Sequence, residues 1–305
     1  MHIPNNLVKI KPAKISTNHQ GRTKWVRLAN KIDYRERFAA IAALADDEIH
    51  LDEAALLIAA ETDTSFDLES CIQHLDNLAL KFEKTFDTKT SLGISATALT
   101  NFIHTTEGFS GNVLDYYDPA NSYLNRVIDT RVGIPISLAL IHISLGKRLG
   151  IPVRGIKFPG HFLIKYGSDP SLIIDPFTGR MLSEPDCATL LRQIARNSKA
   201  ILLPQYFDIA SNKEILIRIL DNLKQIFWEK KSWDEGKACI ERQILLKPDH
   251  AEFRVQLGAL YEMQGNLSLA KITYTTLLHQ GLDKKLLELV SKRLLAMSGS
   301  SPTIH

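Results

Sequence analysis

A histidine and an aspartate 14 residues apart are the strongest candidates for a catalytic or ligand-binding pair in this sequence. His161 follows a Pro-Gly pair and Asp175 precedes a proline, and each belongs to a segment whose composition is typical of a β-strand. We expect His161 on one strand and Asp175 near the end of the next, because antiparallel neighbours would bring the two side chains together. A carboxylate that orients an imidazole is the base–orienter pair of nucleophilic catalysis.

Such a pair needs a nucleophile, and the start of the preceding helix is the place for it, because the helix dipole lowers the pKa of a group there. The segment from Pro135 to Gly150 is apolar over most of its length, which is typical of a buried helix. Pro135 suits its first turn and Gly150 its C-terminal cap. Ser137 is the candidate hydroxyl of this first turn.

The flanking segments predict the elements that must position these side chains. Helical periodicity covers residues 34–84, and a loop rich in Gly, Asn, Asp, Pro and Tyr runs from Gly108 to Asn125. After Pro152 the period changes to two, which predicts three short strands that end near Phe177. The chain then returns to helix from Ser183 to Leu203. A buried helix therefore leads into a small antiparallel sheet.

A repeat with a period of 34 residues marks the C-terminal third of the chain. Large apolar, aromatic and small residues recur at this spacing, as Leu223 does at Leu257 and Gly236 at Ala270. The pattern resembles the tetratricopeptide repeat, whose small residues let two antiparallel helices approach closely. Lys224 stands where that repeat usually has Gly or Ala, so the first unit is atypical, as a terminal unit is expected to be.

The region from Gly108 to Leu191 resembles the SirB1 family, a bacterial branch of the transglutaminase-like superfamily. The resemblance depends on five runs whose order and spacing agree: GFSGN, YYDPANSYLN, GIPISLAL, RLGIPVRGIKFPGHFLIK and IIDPFTGRMLS. The N-terminal helices and the C-terminal repeats also resemble the layout of that family.

The resemblance implies a papain-like order of Cys, His and Asp, of which only the last two are present. His161 and Asp175 match, but the position of the superfamily's Cys falls on Pro135, or on Ser137 after a shift of two residues. Cys71 and Cys239 lie in other helical regions. Cys187 follows the aspartate, and we expect a packed thiol there rather than a nucleophile.

Four further residues are candidates to line the cleft or to brace it: Asn121, Tyr123, Pro135 and Gly160. We favour bracing for the asparagine and the tyrosine of the NSYLN run. His104 and His142 have no evident partner in the sequence, and His142, on an apolar helix, is expected to be a satisfied core histidine. No spacing typical of metal ligands, phosphate loops or dinucleotide sites occurs, so we expect neither a metal nor a cofactor.

The charge is unevenly distributed. The net charge of +3 arises from 37 basic and 34 acidic residues, but seven basic residues precede the first acidic one, Asp33. The remainder is mildly acidic, so a sequence pI near 8.6 does not indicate a nucleic-acid-binding body. The apolar runs are too short for a membrane span, and three distant cysteines suit a reducing compartment, so we expect a cytoplasmic protein. The resemblance to the SirB1 family implies that it is bacterial.

The predicted fold is α+β. A basic irregular arm (1–30) precedes a helical subdomain with a transglutaminase-like core (31–205, with its motifs in 108–191), and tetratricopeptide-like helices follow (212–298). Because the superfamily's Cys is absent, the sequence favours a non-catalytic interaction module that binds a protein or peptide through its repeats. A hydrolase or acyltransferase that uses Ser137, His161 and Asp175 is the alternative. The basic arm alone gives little support for a nucleic-acid partner.

Overall fold

The computed structural model describes residues 16–17, 23–24, 34–63, 66–87, 90–167 and 172–298. In the basic arm these include a short antiparallel pairing of β1 (Ser16–Thr17) with β2 (Thr23–Lys24). The other residues of the arm predicted at 1–30 lie outside the described ranges, so its irregularity stays a prediction. The described residues from Tyr34 onward form a second unit, and all that follows concerns this unit.

The N-terminal helices form where the apolar spacing predicts them: α1 (Tyr34–Ala42), α2 (Leu51–Ala60) and α3 (Leu68–Thr85), followed by α4 (Leu92–Asn101). The carboxylate of Asp67 caps α3 by accepting the backbone N–H of Glu69 at 3.1 Å. One face of α3 is buried along its whole length, because apolar residues recur every three or four positions: Leu68, Ile72, Leu75, Leu78 and Phe82.

The central helix, α6 (Pro135–Leu149), is buried on nearly every side, as its composition predicts. It packs against α2 and α3, against the short α5 (Leu124–Thr130), and against the sheet. Gly150 ends it in the left-handed conformation (φ 67°) and donates its N–H to the carbonyl of Gly146. Two short strands, β3 (Ser110–Gly111) and β4 (Val132–Gly133), pair in parallel beside its start.

A four-stranded antiparallel sheet follows α6, in the order β5 (Val153–Ile156), β6 (Leu163–Tyr166), β7 (Ile173–Asp175) and β8 (Arg180–Leu182). The register aligns Ile156 with Leu163 and Ile164 with Ile174. The sequence pattern predicts three of these strands but not β8. Helix α7 (Glu184–Ala195) packs on the sheet and ends earlier than the predicted helical segment.

The C-terminal region is all helical: α8 (Asn212–Glu229), α9 (Trp233–Leu246), α10 (Ala251–Met263), α11 (Leu267–Leu278) and α12 (Lys284–Ser298). Consecutive helices pack as α8 on α9, α9 on α10, and α10 on α11. Residues separated by 34 positions lie on equivalent helices, since Gly236 is on α9 and Ala270 on α11, both buried. Helix α8 also packs on α6 and α2, so this region and the core share a boundary.

Lys224, the atypical residue of the first repeat, fills a polar seam between helices α8, α9 and α10. Its Nζ donates to Asp221 Oδ1 at 2.6 Å, to Gln256 Oε1 at 2.7 Å and to Gln243 Oε1 at 3.0 Å. At the position where the repeat usually has a small residue, this chain therefore has a cation that donates one hydrogen bond to an oxygen acceptor on each of the three helices. These bonds compensate for removing the ammonium group from water.

The described residues thus have the predicted α+β class, with a small antiparallel sheet between helices and a C-terminal helical region. None of the described helices is long and apolar enough to cross a bilayer.

Candidate functional site

The fold brings His161 and Asp175 into direct contact. Their Nε2 and Oδ1 atoms are 2.9 Å apart, and the two side chains keep 15% and 10% of their surface exposed. Asp175 is the last residue of β7, as predicted, but His161 lies in the turn before β6 rather than on the strand. The reason is local: Pro159 has no N–H to give to a ladder, and Gly160 adopts φ 67°.

The carboxylate of Asp175 is held by three donors. Besides His161, the backbone N–H of Phe177 donates to Oδ1 and the hydroxyl of Thr178 donates to Oδ2, both at 2.9 Å. Burial alone would raise the pKa of Asp175, but the bonds and charge of His161, together with these two donors, leave it below its usual value. The side chain is therefore an ionised acceptor.

This ionisation determines which nitrogen of His161 carries the proton. A carboxylate only accepts, so Nε2 of His161 is the donor in the 2.9 Å bond, and in the tautomer that carries a single ring proton the lone pair is on Nδ1. Within the described part of the chain, Nδ1 has no hydrogen-bond partner. The pair thus presents an oriented imidazole with one basic nitrogen available to a ligand or to a reacting proton.

Ser137 lies at the start of α6, completely buried, and its hydroxyl bonds to the backbone. Its Oγ donates to the carbonyl of Asn121 at 2.6 Å, with the carbonyl of Ile134 at 3.1 Å, and accepts the N–H of Ile134 at 3.0 Å. Among the described residues no hydrogen bond joins Ser137 to His161. Pro135, at the first position of the helix, has no group that could serve as a nucleophile.

The three cysteines lie on other helices. Cys71 is on α3, Cys187 on α7 and Cys239 on α9. Burial raises the pKa of the Cys71 and Cys187 thiols to about 11 and that of Cys239 to about 12. All three are therefore protonated thiols near neutral pH, and Cys187 packs among apolar residues of the sheet and α7.

Asn121 ties the loop after β3 to the start of α6. Its Nδ2 donates to the carbonyls of Asp115 at 2.7 Å and Tyr116 at 3.2 Å, and its Oδ1 accepts from Asn112 at 3.0 Å. Its own carbonyl accepts from Ser137. These bonds make Asn121 the centre of the connection between the loop and the helix.

The other two predicted lining or bracing residues contact neighbouring elements. The Tyr123 hydroxyl lies 3.3 Å from Thr62 Oγ1, and burial raises its pKa to about 12. Gly160 lies against Ile194 of α7, where a Cβ would approach the isoleucine methyl to 2.4 Å. Both contacts anchor segments next to the site rather than project functional groups into it.

A buried chain of hydrogen bonds between His104 and His142 was missed by the sequence analysis. His104 lies in a π-helical turn (Phe102–Thr106), and its Nδ1 is 2.9 Å from the carbonyl of Phe109. The Nε2 atoms of the two histidines are 3.1 Å apart, and His142 Nδ1 is 2.9 Å from the hydroxyl of Tyr166. The two histidines are 38 positions apart, so no local pattern could have paired them.

Only one arrangement of protons satisfies this chain when both rings are neutral. The carbonyl of Phe109 only accepts, so His104 carries its proton on Nδ1 and accepts at Nε2 from His142, which in turn accepts at Nδ1 from Tyr166. Burial lowers the pKa of His142 well below its usual value, and burial likewise lowers that of His104. Both rings are therefore neutral near pH 7, and the expectation that His142 is a satisfied core histidine is confirmed.

Among the described residues, no cluster of His, Cys, Asp or Glu side chains could hold a metal ion.

Comparison with known proteins identifies the class of this domain. Residues 69–221, about half of the chain, match the family model described as "Transglutaminase-like superfamily". This segment includes α6, the sheet, and the His161–Asp175 pair. No solved structure matches the chain.

Similar sequences come from bacteria and from animals. A UPF0162 protein of Xylella fastidiosa strain 9a5c is 33% identical over 239 residues, covering 76% of this chain and 84% of its own. A UPF0162 protein of Pseudomonas aeruginosa is 35% identical over 190 residues, covering 62% and 69%. Human F-box only protein 21 is 27% identical over 166 residues, covering 50% of this chain and 25% of its own. The chain belongs to the UPF0162 family of transglutaminase-like proteins.

Proposed function

We propose that this protein is a non-catalytic binding module, built from a transglutaminase-like core that has no nucleophile. The observation that carries the proposal is the state of Ser137, whose hydroxyl is buried and bonded to backbone groups of Asn121 and Ile134. Pro135, the other position at which the resemblance places the superfamily's nucleophile, has no nucleophilic group, and the three thiols are protonated and lie on α3, α7 and α9. A base without a nucleophile can still orient a bound group through His161 Nδ1.

We further propose that the layout is that of the SirB1 family, with tetratricopeptide-like helices after the core. The motif runs between Gly108 and Leu191 support the first part. The helix pairs α8–α9 and α10–α11, with equivalent residues 34 positions apart, support the second. Helical repeats of this kind present a surface for a protein or peptide, which is the partner class that we propose.

Labelling with a fluorophosphonate probe tests the absence of a nucleophile. We expect the intact protein to remain unlabelled, and Ser137→Ala to be indistinguishable from the wild type. Labelling of the wild type that is lost in Ser137→Ala would overturn the proposal, because it would show an activated serine. Iodoacetamide at pH 7 serves as the matching test for the thiols, and we expect slow reaction, since their pKa values lie near 11 and 12.

The second candidate function is a hydrolase or acyltransferase, and the geometry of the His161–Asp175 pair is what favours it. The 2.9 Å bond engages Nε2 and leaves Nδ1 as the nitrogen that would act as the general base. For this function Ser137 would have to break its 2.6 Å bond to Asn121 and turn toward Nδ1. Hydrolysis of p-nitrophenyl esters that is abolished by both Ser137→Ala and Asp175→Asn would establish it.

For the cellular setting we propose the bacterial cytoplasm. The three cysteines are free thiols, which suits a reducing compartment. No nucleic-acid partner is proposed, because the basic residues that could attract one cluster in the arm, largely outside the described residues.

A further inference from the structure

The turn between β7 and β8 fixes the position of the Asp175 carboxylate. We call residues 175–179 the aspartate turn. The carbonyl of Asp175 accepts the N–H of Gly179 at 2.8 Å, which closes the turn. The side-chain oxygen Oδ1 of Asp175 accepts both the N–H of Phe177 and Nε2 of His161, each at 2.9 Å. A contact that holds this turn therefore also holds the hydrogen-bond partner of His161.

The imidazole of His104 packs directly on the backbone of the aspartate turn. Gly179 has φ 71°, and a Cβ at this position would lie 2.7 Å from Cγ and 2.8 Å from Cδ2 of His104. Such separations are too short for a carbon atom, so the ring approaches this closely only because the residue is a glycine. The ring and the glycine therefore occupy complementary space.

Hydrogen bonds in two directions fix the ring of His104. Its Nδ1 donates to the carbonyl of Phe109 at 2.9 Å, and its Nε2 accepts from His142 at 3.1 Å. His142 lies on α6 and is itself bonded to Tyr166 on β6. Because an imidazole bonded at both nitrogens cannot turn about its Cβ–Cγ bond without breaking both bonds, the ring is a rigid support for the backbone that rests on it.

A second close contact holds the opposite side of the aspartate turn. A Cβ on Gly111 would lie 2.4 Å from the ring of Phe177, and the N–H of Gly111 donates to the carbonyl of Phe177 at 3.1 Å. The turn is thus held between β3 and the π-helical turn that contains His104. Turns of π-helix are rare and occur frequently at functional sites.

We propose that His104 is a positioning residue for the His161–Asp175 pair. Its imidazole supports Gly179 and thereby keeps the Asp175 carboxylate where Nε2 of His161 donates to it. The buried chain that begins at Tyr166 then acts on the site as well as on the core. This inference rests on the proposed function, in which Nδ1 of His161 orients a bound group, but the hydrogen bond that it concerns is measurable in the free protein.

Hydrogen exchange of the Phe177 amide, followed by NMR on the full chain, tests the support of the turn, because this N–H donates to the same oxygen as His161. We expect His104→Ala to speed this exchange about tenfold, since the turn opens more readily once the ring is removed. Urea unfolding of the same variant gives the rate that global unfolding alone would produce, and the Phe177 amide should exchange faster than that rate.

A size-swapped pair of substitutions assigns the effect to the contact between ring and glycine. Gly179→Ala should speed exchange at Phe177 about tenfold in the wild-type background, because the added methyl group displaces the ring. In the His104→Ala background the methyl group enters the space that the ring has left, so the same substitution should have a much smaller effect. The strain of a left-handed alanine is present in both backgrounds and cancels in this comparison.

Gly150→Ala is the matched control for backbone strain. Gly150 also has a left-handed conformation (φ 67°), but a Cβ there would have no described atom within 4 Å. We expect this variant to leave the exchange of the Phe177 amide unchanged.

The ¹⁵N chemical shifts of the His161 ring report the pair itself. At about pH 8, above the ordinary histidine pKa of about 6.5, we expect two well-separated signals in the wild type, from protonated Nε2 and unprotonated Nδ1. A neutral ring that has lost the carboxylate populates both tautomers, so His104→Ala should bring the two signals closer together. Asp175→Ala gives the full size of this change. A role of His104 confined to packing would leave the signals apart.

Three results would overturn the inference. These are exchange of the Phe177 amide in His104→Ala no faster than global unfolding produces, additive effects of His104→Ala and Gly179→Ala, and His161 signals as well separated in His104→Ala as in the wild type. If His104→Ala does not fold, Gly179→Ala alone must speed the exchange and bring the signals together, and its failure to do so overturns the inference. Fluorophosphonate labelling would contradict the proposed non-catalytic function without changing these NMR signals, so the two failures are distinguishable.

Discussion

Two histidine environments in this protein differ in whether both ring nitrogens have hydrogen-bond partners. At the His161–Asp175 pair, one nitrogen is bonded to a carboxylate and Nδ1 has no partner among the described residues. In the buried chain of His104, His142 and Tyr166, every ring nitrogen has a partner, and His142 is completely buried. A histidine whose two ring nitrogens are both bonded stabilises a core, whereas a partly exposed histidine with one unbonded nitrogen is available for a ligand.

The largest effect should come from removing the buried ring. We expect His142→Ala to lower the free energy of unfolding by about 3 kcal/mol, because it leaves a cavity and deprives the hydroxyl of Tyr166 and the Nε2 of His104 of their partners. Urea denaturation followed by far-UV circular dichroism measures this change. A loss below about 1 kcal/mol would show that the hydrogen-bonded chain is not a stabilising element.

The pH dependence of stability should separate the two environments. Because burial lowers the pKa values of His104 and His142, the unfolded chain binds protons below pH 6.5 that the folded chain excludes, so stability falls as the pH drops below 6.5. The slope is at most about 1.4 kcal/mol per pH unit for each histidine that stays neutral. The pKa of Asp175 is lowered in the folded protein from its ordinary value of 3.8. Asp175 therefore stabilises the fold at pH values above 3.8, and this contribution is lost as the pH falls below 3.8.

Urea titrations between pH 7.5 and 4.5 test this separation. The half-buried His74 also has a pKa lowered by desolvation and by Arg131, so the slope of the wild type alone does not isolate the contribution of His104 and His142. His142→Gln is the informative variant, and its slope between pH 6.5 and 5 should be shallower than that of the wild type. Equal slopes in the two proteins would contradict the assignment of neutral rings.

Ser137→Ala tests the structural role of the candidate nucleophile. We expect a loss of about 1–2 kcal/mol, because the N–H of Ile134 and the carbonyl of Asn121 would lose a buried partner. Equilibrium unfolding in urea gives the value, and Ser137→Cys is the companion variant that keeps a donor of similar size. An unchanged stability in Ser137→Ala would show that the hydroxyl is not needed for packing. That result would favour the alternative role of Ser137 as a nucleophile.

The smallest effect on stability should come from His161→Ala. The side chain is partly exposed and makes one hydrogen bond, so we expect a loss below about 1 kcal/mol in the same urea assay. Its comparison with His142→Ala tests the contrast directly. If His161→Ala destabilised the protein as much as His142→Ala, the pair would be part of the packed core rather than an available site.

Much of the fold could be predicted from the sequence, because the relevant signals are local. The apolar stripe of α3, the proline and glycine at the ends of α6, and the period of 34 residues each depend on neighbours along the chain. The antiparallel strands also indicated that His161 and Asp175 would meet. The strand β8 has only three residues, too few for an alternation to be recognised.

The amino-acid sequence determines which chemical groups are available: an imidazole and a carboxylate in the order that the resemblance implies, and Pro135 or Ser137, rather than a cysteine, at the position where the resemblance places the superfamily's nucleophile. The hydrogen-bond partners and the exposure of the side chains depend on the tertiary structure. It turned the hydroxyl of Ser137 toward the backbone, joined His104 to His142 across 38 positions, and left the side chain of Leu114 in solvent. The physical reason is that the partners and burial of a side chain are set by packing between distant elements, which local periodicity does not encode.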